Sequence, residues 1–239
     1  MTVSLTALKQ SLHAGLTAVA QGADPALIYH PNAQFWASHP FNQVQGLEAI
    51  RHVWSQLRHA MPDIQRRDQI FVAGNSKADA RMPDDLEGRV LVASMGHYQG
   101  SFLNDLCGIP ATHGVVNLRV CEVHHLVEGK IAQSYVMLDL LDLMGQAGCW
   151  PIAPSLGAEG MWSGPATNDG VRLHTSDPSG GQMAFDTVIA MHNALGSFDG
   201  KSLDSMQHGA YWADNFVWYG PSGIGQTRGM TGFRAHHQI

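Results

Sequence analysis

Residues 115–138, VVNLRVCEVHHLVEGKIAQSYVML, predict two β-strands joined by a tight turn. The segments 115–127 and 130–138 are rich in valine and other apolar residues, which pack well on a pleated, half-buried surface. Glu128-Gly129 between them is a two-residue hairpin signal, because glycine tolerates the positive φ that such turns require. The stretch therefore predicts a long antiparallel hairpin.

Other strand-like segments lie on either side of this hairpin. Residues 65–74 and 89–102 are rich in valine, isoleucine and aromatic residues, so with the hairpin they predict a four-stranded antiparallel meander. The short aromatic segment 33–37 predicts one more strand. Residues 140–144 predict a short closing helix that is ended by glycine.

Apolar residues in the first quarter of the chain recur at helical spacing. One stripe of leucines and valine runs from Leu5 to Val19 at steps of three and four residues. A second stripe runs from Leu47 to Met61 and stops at Pro62. Helices that precede an antiparallel meander predict an α+β fold, with the helices on one side of the sheet.

Composition limits the classes of function. The chain has 239 residues, 44% of them hydrophobic, which allows one large domain or two ordinary ones. The formal net charge of −6 and the pI of about 6.1 argue against nucleic acid and anionic membranes, which attract basic surfaces. No apolar run reaches the roughly 18 residues that span a bilayer, and no signal-peptide pattern is present, so we expect a cytoplasmic protein. Three cysteines do not make a disulfide framework.

An internal repeat divides the chain. Residues 150–182 are rich in glycine and proline and predict a linker. Residues 183–239 then repeat the beginning of the chain at a constant spacing, so we expect a complete domain at residues 1–149 and a truncated second copy. On this expectation the chain is a fragment of a longer protein. The matched pairs are Asn32 and Asn215, Gln43 and Gln226, Gly46 and Gly229, and Arg51 and Arg234.

Five segments resemble the SnoaL-like polyketide cyclase family of the NTF2-like superfamily, and they occur in the family's order. They are GLEAIR (46–51) with Pro62-Asp63 after it, GHYQGSF (96–102), GIPAT (108–112), GKI (129–131) and DLLDLMGQAG (139–148). No single segment is specific, but together they extend over residues 25–149. One departure is Tyr135, where the family usually has tryptophan.

The resemblance implies an NTF2-like cone, in which helices pack on a strongly curved antiparallel sheet of six strands around an apolar pocket. It also implies acid/base chemistry on a small, flat, carbonyl-bearing molecule, such as aldol-type cyclisation or isomerisation. Likeness of fold does not select one activity, so two alternatives stay open. The same pocket could bind a small molecule without chemistry, or it could hydrolyse or dehydrate a substrate.

Asp139 is the first candidate for the acid/base group, because it matches the catalytic aspartate that the resemblance implies. Strand alternation places Gln133, Tyr135 and Met137 on its face of the last strand. An apolar cavity at that face would raise the pKa of the carboxyl and suit it to proton transfer. The alternative is structural, since Asp139 directly precedes the closing helix and aspartate is a preferred N-cap.

His125 on the neighbouring strand is the second catalytic candidate, although the hairpin pairs it with residues 130–133 rather than with Asp139. Either His97 or Tyr98 faces inward on the longest strand and could donate a hydrogen bond to a substrate carbonyl. For each residue a purely structural role is the alternative. The remaining candidates for substrate binding are Tyr135, Trp54 and His39, the last of these in a loop.

We expect neither a metal nor another cofactor. The HExxH and CxxC patterns are absent, and adjacent histidines such as His124-His125 diverge on a strand. The expected partners are a small apolar substrate or ligand, and a second domain copy or a second chain that is contacted through the sheet.

Overall fold

The computed structural model describes residues 4–77, 87–150, 153, 155–175 and 179–237. Its first part is an α+β unit, as the sequence predicts. The elements in chain order are α1 (Leu5–Ala20), β1 (Tyr29–Ala37), β2 (Gln43–Gln45), α2 (Leu47–Ala60), β3 (Gln65–Asn75), β4 (Val90–Ser101), β5 (Val115–Val127), β6 (Lys130–Leu138) and α3 (Leu140–Gln146).

The six strands form one sheet in the order β2-β1-β6-β5-β4-β3. Strands β1 and β6 are parallel, and every other neighbouring pair is antiparallel. The predicted hairpin between β5 and β6 is confirmed, with φ of 50° at Glu128 and 79° at Gly129. These values belong to the left-handed region that a tight hairpin turn requires.

Helices α1 and α2 cover one face of the sheet, which we call the inner face. Their apolar stripes interlock with alternate residues of the strands to form the core. The helical contribution includes Leu12, Leu16, Val19, Ile50, Val53, Trp54 and Leu57, and the sheet contributes Phe71, Val92, Leu118, Val120, Ile131 and Leu138. Helix α2 begins directly after Gly46, whose φ of 83° favours glycine.

The opposite side of the sheet, the outer face, is partly open to solvent. Strand alternation places Tyr135 and Met137 of β6 there, and these side chains are 46% and 62% exposed. Residues 155–175 contain no helix and two isolated bridge residues, Ala158 and Val171, and they pass over another part of this face and along the edge of β3. Val171 pairs with Phe71 of β3, and the Trp162 amide donates a hydrogen bond to His97 of β4.

The last described residues form α4 (Ser179–Leu195), β7 (Val217–Tyr219), β8 (Gln226–Arg228) and α5 (Gly229–His237). Strands β7 and β8 pair in the same register as β1 and β2. Val217 faces Arg228, as Gln34 faces Gln45, and both members of the second pair lie 183 positions after those of the first. The duplication and the domain limits stay predictions, although α4 begins four residues before the expected second copy.

Within the part of the chain that the structure describes, no helix is both long and apolar enough to cross a bilayer.

Candidate functional site

The sheet separates most of the predicted site residues into two groups. Tyr98 and Trp54 lie on the inner side, where their rings meet edge to face at 5.5 Å. His97, His125, Tyr135 and Asp139 belong to the outer face, because they alternate with the inward-facing residues of their strands. His39 is exposed in the loop between β1 and β2.

The face of β6 that the sequence places along a cavity is the outer one, where Tyr135 and Met137 line an apolar pocket of about 400 Å³ that is open to solvent. Tyr135 stacks on Trp36 at 4.8 Å between ring centres, on the outer face and half exposed. Alternation shows which residues share a face, but the helices decide which face is enclosed, and α1 and α2 cover the other one. The catalytic roles of these residues stay predictions.

Asp139 is the N-cap of α3, so the structural alternative is confirmed. Its carboxylate accepts hydrogen bonds from the Asp142 amide at 3.1 Å and from the Ser222 amide at 3.0 Å, and it forms an ion pair with Arg119 at 2.6 Å. His125 pairs with Gln133 as predicted, and its ring also contacts Arg89. The structure therefore does not bring His125 and Asp139 together.

A buried charged network lies at the centre of the inner face, within the otherwise apolar core. Glu122 accepts hydrogen bonds from Tyr98 Oη at 2.5 Å and Ser94 Oγ at 3.0 Å. Arg66 forms ion pairs with Glu122 at 2.6 Å and with Asp68 at 2.9 Å. The Arg66 and Glu122 side chains are each 1% exposed. Burial of charge is expensive unless each group is paired, and here the partners are in place.

The protonation states of this network follow from its contacts. Burial opposes ionisation of Glu122, but Arg66 and the surrounding hydrogen bonds outweigh it and hold the pKa below its ordinary value. Burial, reinforced by the Glu122 charge, raises the pKa of Tyr98. At neutral pH the site therefore contains a glutamate anion and a neutral phenol that donates to it.

His124 links this network to Ser134. Its Nδ1 lies 2.8 Å from Ser134 Oγ, and its Nε2 lies 3.4 Å from Glu122 Oε2. Because ionised Glu122 can only accept, we assign the imidazole proton to Nε2, and Nδ1 then accepts from the Ser134 hydroxyl. The result is a buried chain of hydroxyl, imidazole and carboxylate.

Two donors beside this chain have no well-aligned acceptor. The Tyr29 hydroxyl and the Trp54 indole N–H are buried and make no hydrogen bond of good geometry. Burial raises the pKa of Tyr29, and Ser134 and Trp54 lie next to its hydroxyl. Such a pair of donors suits an oxygen acceptor on which negative charge develops.

Sequence reasoning missed Glu122 and His124. Sequence analysis considered His124 only as a metal ligand, but its side chain is fully buried on the inner face. A signal was present, because Glu122 and His124 interrupt an otherwise apolar face of β5 that includes Leu118, Val120 and Leu126. Buried polar residues need hydrogen-bond partners. Buried charged residues with shifted pKa values occur at functional sites more often than elsewhere.

A second polar cluster lies on the outer face, beneath residues 155–164. Arg119 is fully buried and forms ion pairs with Asp139 and with Asp142, the latter at 3.2 Å. Trp162 covers the guanidinium with its ring centre 5.0 Å from Cζ. Burial raises the pKa of Asp142, whereas burial and the Arg119 charge lower the pKa of His97 to about 4.

A cavity of about 440 Å³ adjoins this cluster. Asp142, Gln146, Trp150, Glu159, Gly160 and Ser222 are among the residues that line it. Within the described residues, no group of three or more histidine, cysteine, aspartate or glutamate side chains is placed to hold a metal ion.

Comparison with known proteins identifies the first part of the chain. Residues 16–134 match the sequence profile of the SnoaL-like domain family. No curated protein matches the sequence. Wild-type IdmH from Streptomyces antibioticus, provisionally described as a polyketide cyclase, is 17% identical with a TM-score of 0.46, over 59% of this chain and 98% of its own. TsrD from Streptomyces laurentii is 19% identical with a TM-score of 0.46, over 62% of this chain and 99% of its own. Residues 16–134 therefore belong to the SnoaL-like domain family.

Proposed function

We propose that the SnoaL-like domain is a cofactor-free acid/base enzyme for a small carbonyl compound held between the helices and the inner face. One observation carries this proposal: the unused donors of Tyr29 and Trp54 lie beside the His124–Glu122 pair. A carbonyl oxygen is the kind of acceptor that both donors lack. An imidazole in the same site can take a proton from the adjacent carbon.

His124 is the proton carrier in this proposal. Its Nδ1, once the Ser134 hydroxyl has turned away, removes a proton from the carbon next to the carbonyl, and the electron pair moves to the oxygen, which Tyr29 and Trp54 stabilise as an enolate. Ionised Glu122 orients the imidazole and stabilises its protonated form. The enolate carbon then attacks a second carbonyl in a cyclisation, or it is reprotonated elsewhere in an isomerisation.

A second candidate function, hydrolysis, is favoured by the 2.8 Å contact between Ser134 Oγ and His124 Nδ1. In that case Ser134 attacks an ester carbon while His124 takes the hydroxyl proton and then passes it to the leaving alcohol. Water would release the acyl group from Ser134. The two functions differ in their need for Ser134, which is the nucleophile in one and dispensable in the other.

Substrate entry requires a movement, because the inner groups are enclosed. Tyr29, Tyr98, Glu122, His124 and Ser134 are each 2% exposed or less. Binding would therefore displace part of α1 or α2 from the sheet. Closure over the substrate would exclude water from the enolate and strengthen each electrostatic interaction in the site.

The test uses exchange of the α-protons of bicyclic aryl ketones such as 1-tetralone in deuterated water, followed by proton NMR. The wild-type chain should accelerate exchange, and His124→Gln should lower the rate by about 100-fold or more, the usual contribution of a general base. Ser134→Ala should retain most of the rate. His52→Gln, on the exposed surface of α2, is the matched control for loss of a histidine.

Three outcomes decide between the hypotheses. A loss of activity in Ser134→Ala, together with ester hydrolysis by the wild type, would favour the hydrolase. Binding of the ketones without any exchange would favour the non-catalytic binding module. If His125→Gln lowered the exchange rate as much as His124→Gln does, the structure would give no reason to choose His124 as the base.

We also propose that the chain contains a duplication and associates with a second chain. The common register of the β1–β2 and β7–β8 hairpins supports residues 179–237 as a second copy of the start of the chain. The exposed apolar side chains of Val123, Tyr135 and Met137 support association with a second chain through the outer face. Light scattering of the wild type and Met137→Glu tests this, since the substitution should reduce any dimer.

A further inference from the structure

Helix α1 spans the strands that carry the proposed inner site. Near β1, Gly15 packs directly on Ile28, so that an added Cβ would lie 2.2 Å from Ile28 Cγ2. At β3, His13 Nε2 lies 3.1 Å from Asp68 Oδ2, and the His13 ring meets the Phe71 ring edge to face at 4.9 Å. Strands β6, β5 and β4 lie between β1 and β3 in the sheet. Helix α1 therefore lies over the proposed catalytic groups and controls access to them.

Helix α2 is firmly attached to the sheet. The Leu103 and Asn104 amides donate to the Ala60 carbonyl at the end of the helix, at 2.9 and 3.3 Å. The Asn104 side chain donates to the His59 carbonyl at 2.7 Å. The chain then enters β3 after only four residues, 61–64. Displacement of α2 would therefore distort the sheet itself, which leaves α1 as the helix that moves when a substrate enters.

The two parts of α1 on either side of Gly15 are buried to different degrees. Leu16, directly after Gly15, is fully buried. In the part before Gly15, which we call the N-terminal part, Leu12 is buried but Leu5 and Leu8 are partly exposed. A glycine also weakens the interior of a helix. The N-terminal part can therefore bend away from the sheet with the smaller loss of packing.

A later segment of the chain, residues 170–175, joins the edge of β3 to α1, and we call it the latch. It forms one rung of parallel pairing with β3. The Phe71 amide donates to the Gly170 carbonyl at 2.9 Å, and the Arg172 amide donates to the Phe71 carbonyl at 2.8 Å. Gly170 permits this close approach, because an added Cβ would lie 2.1 Å from the Gln69 carbonyl oxygen.

The latch then turns from β3 to the N-terminal part of α1. Lys9 Nζ donates to the His174 carbonyl at 2.9 Å, and Gln10 Nε2 donates to the Leu173 carbonyl at 3.3 Å. Lys9 is only 3% exposed, so its contact with the latch is shielded from water, which strengthens a hydrogen bond. The side chain of Leu173 also packs against the core. The N-terminal part of α1 is therefore held to the edge of β3 through the latch.

We propose that the latch keeps the inner site closed, and that its release from β3 lets the N-terminal part of α1 bend away and admit a substrate. Phe71 joins the two contacts, because its backbone pairs with the latch while its ring packs against His13. The latch lies outside residues 16–134, so it is not part of the matched domain. The inference rests on the proposed function, since it concerns how the substrate reaches the inner face.

The test is amide hydrogen exchange of the full chain, followed by mass spectrometry. In Gly170→Ala the added methyl group would force the latch away from β3, so the amides of residues 8–14 should exchange at least about tenfold faster than in the wild type. Gly164→Ala is the matched control, because its Cβ would meet only Gln69 Cγ, at an ordinary distance of 3.7 Å. No increase at residues 8–14, or an equal increase in α2, would overturn the proposal.

A second variant tests the latch in the opposite direction, by locking it. The Thr6 and Thr175 hydroxyl oxygens lie 3.2 Å apart, so Thr6→Cys and Thr175→Cys together should form a disulfide between α1 and the latch. The amides of residues 8–14 should exchange more slowly in the oxidised form than in the reduced form, and equal rates would contradict the latch. If these rates differ as expected but neither form exchanges the α-protons of 1-tetralone, the latch is supported and the proposed chemistry is wrong.

Discussion

Protonation of His97 should destabilise the fold between pH 6.5 and about 4. The folded protein has a His97 pKa of about 4, against an ordinary value of 6.5, because the ring is buried and faces Arg119. Asp139 and Asp142 lie on the far side of Arg119, and Trp162 covers the ring. The unfolded chain therefore binds a proton more readily than the folded protein does, so stability falls as the pH drops.

The size of this loss of stability follows from the linkage between protonation and folding. A difference of about 2.5 pKa units corresponds to about 3 kcal/mol, reached below pH 4, and to about 2 kcal/mol at pH 5. Above pH 6.5 His97 is neutral in both states and contributes no pH dependence. Protonation would also remove the acceptor for the Trp162 amide, so the segment over Arg119 should loosen over the same range.

The assay is urea unfolding of the wild type and His97→Gln at pH 7.5, 6 and 5. Glutamine keeps an oxygen acceptor for the Trp162 amide but does not titrate, and all other titrating groups are common to both proteins. The free energy of unfolding of the variant, relative to the wild type, should rise by about 2 kcal/mol between pH 7.5 and 5. A difference that does not change with pH would refute the argument that His97 is held neutral.

Three further predictions concern the packing and pairing of single residues. Glu122→Gln should lower the free energy of unfolding by about 3 kcal/mol, because it removes one of the two carboxylates that pair with the buried Arg66 and leaves only Asp68, and urea unfolding at pH 7 measures this. Gly96→Ala should prevent normal folding, detected as loss of soluble protein, because the added Cβ would lie 2.1 Å from the Arg67 carbonyl oxygen. Tyr135→Ser should change stability by less than about 1 kcal/mol in the same unfolding assay, because the side chain is half exposed on the outer face.

Most of the fold was predictable because the two long helices and the four strands of the meander each have a local signal, whereas the short strand β2 was not predicted. Pro62 ends the second helix, Glu128-Gly129 sets the hairpin, and the change of apolar period from helical to alternating marks where the sheet begins. The parallel pairing of β1 with β6 had no such signal, since it joins segments about 100 residues apart. The meander of β3 to β6 leaves the edge of β6 free, and β1 pairs with that edge.

The candidate site was less predictable, because strand alternation leaves the two faces of a sheet equivalent. The alternation of Gln133, Tyr135, Met137 and Asp139 was predicted correctly, but the sequence did not show that their face lies opposite the helices. The helices make the two faces different, because their apolar stripes cover Leu118 and Val120. Glu122 and His124 lie on the same face of β5, so they are buried as well. A pattern of apolar residues at both ends of a strand face and Glu122 and His124 in the middle is costly to enclose. The apolar residues at both ends of the face therefore indicate that it is the inner one, and the paired polar residues between them are candidates for a functional site.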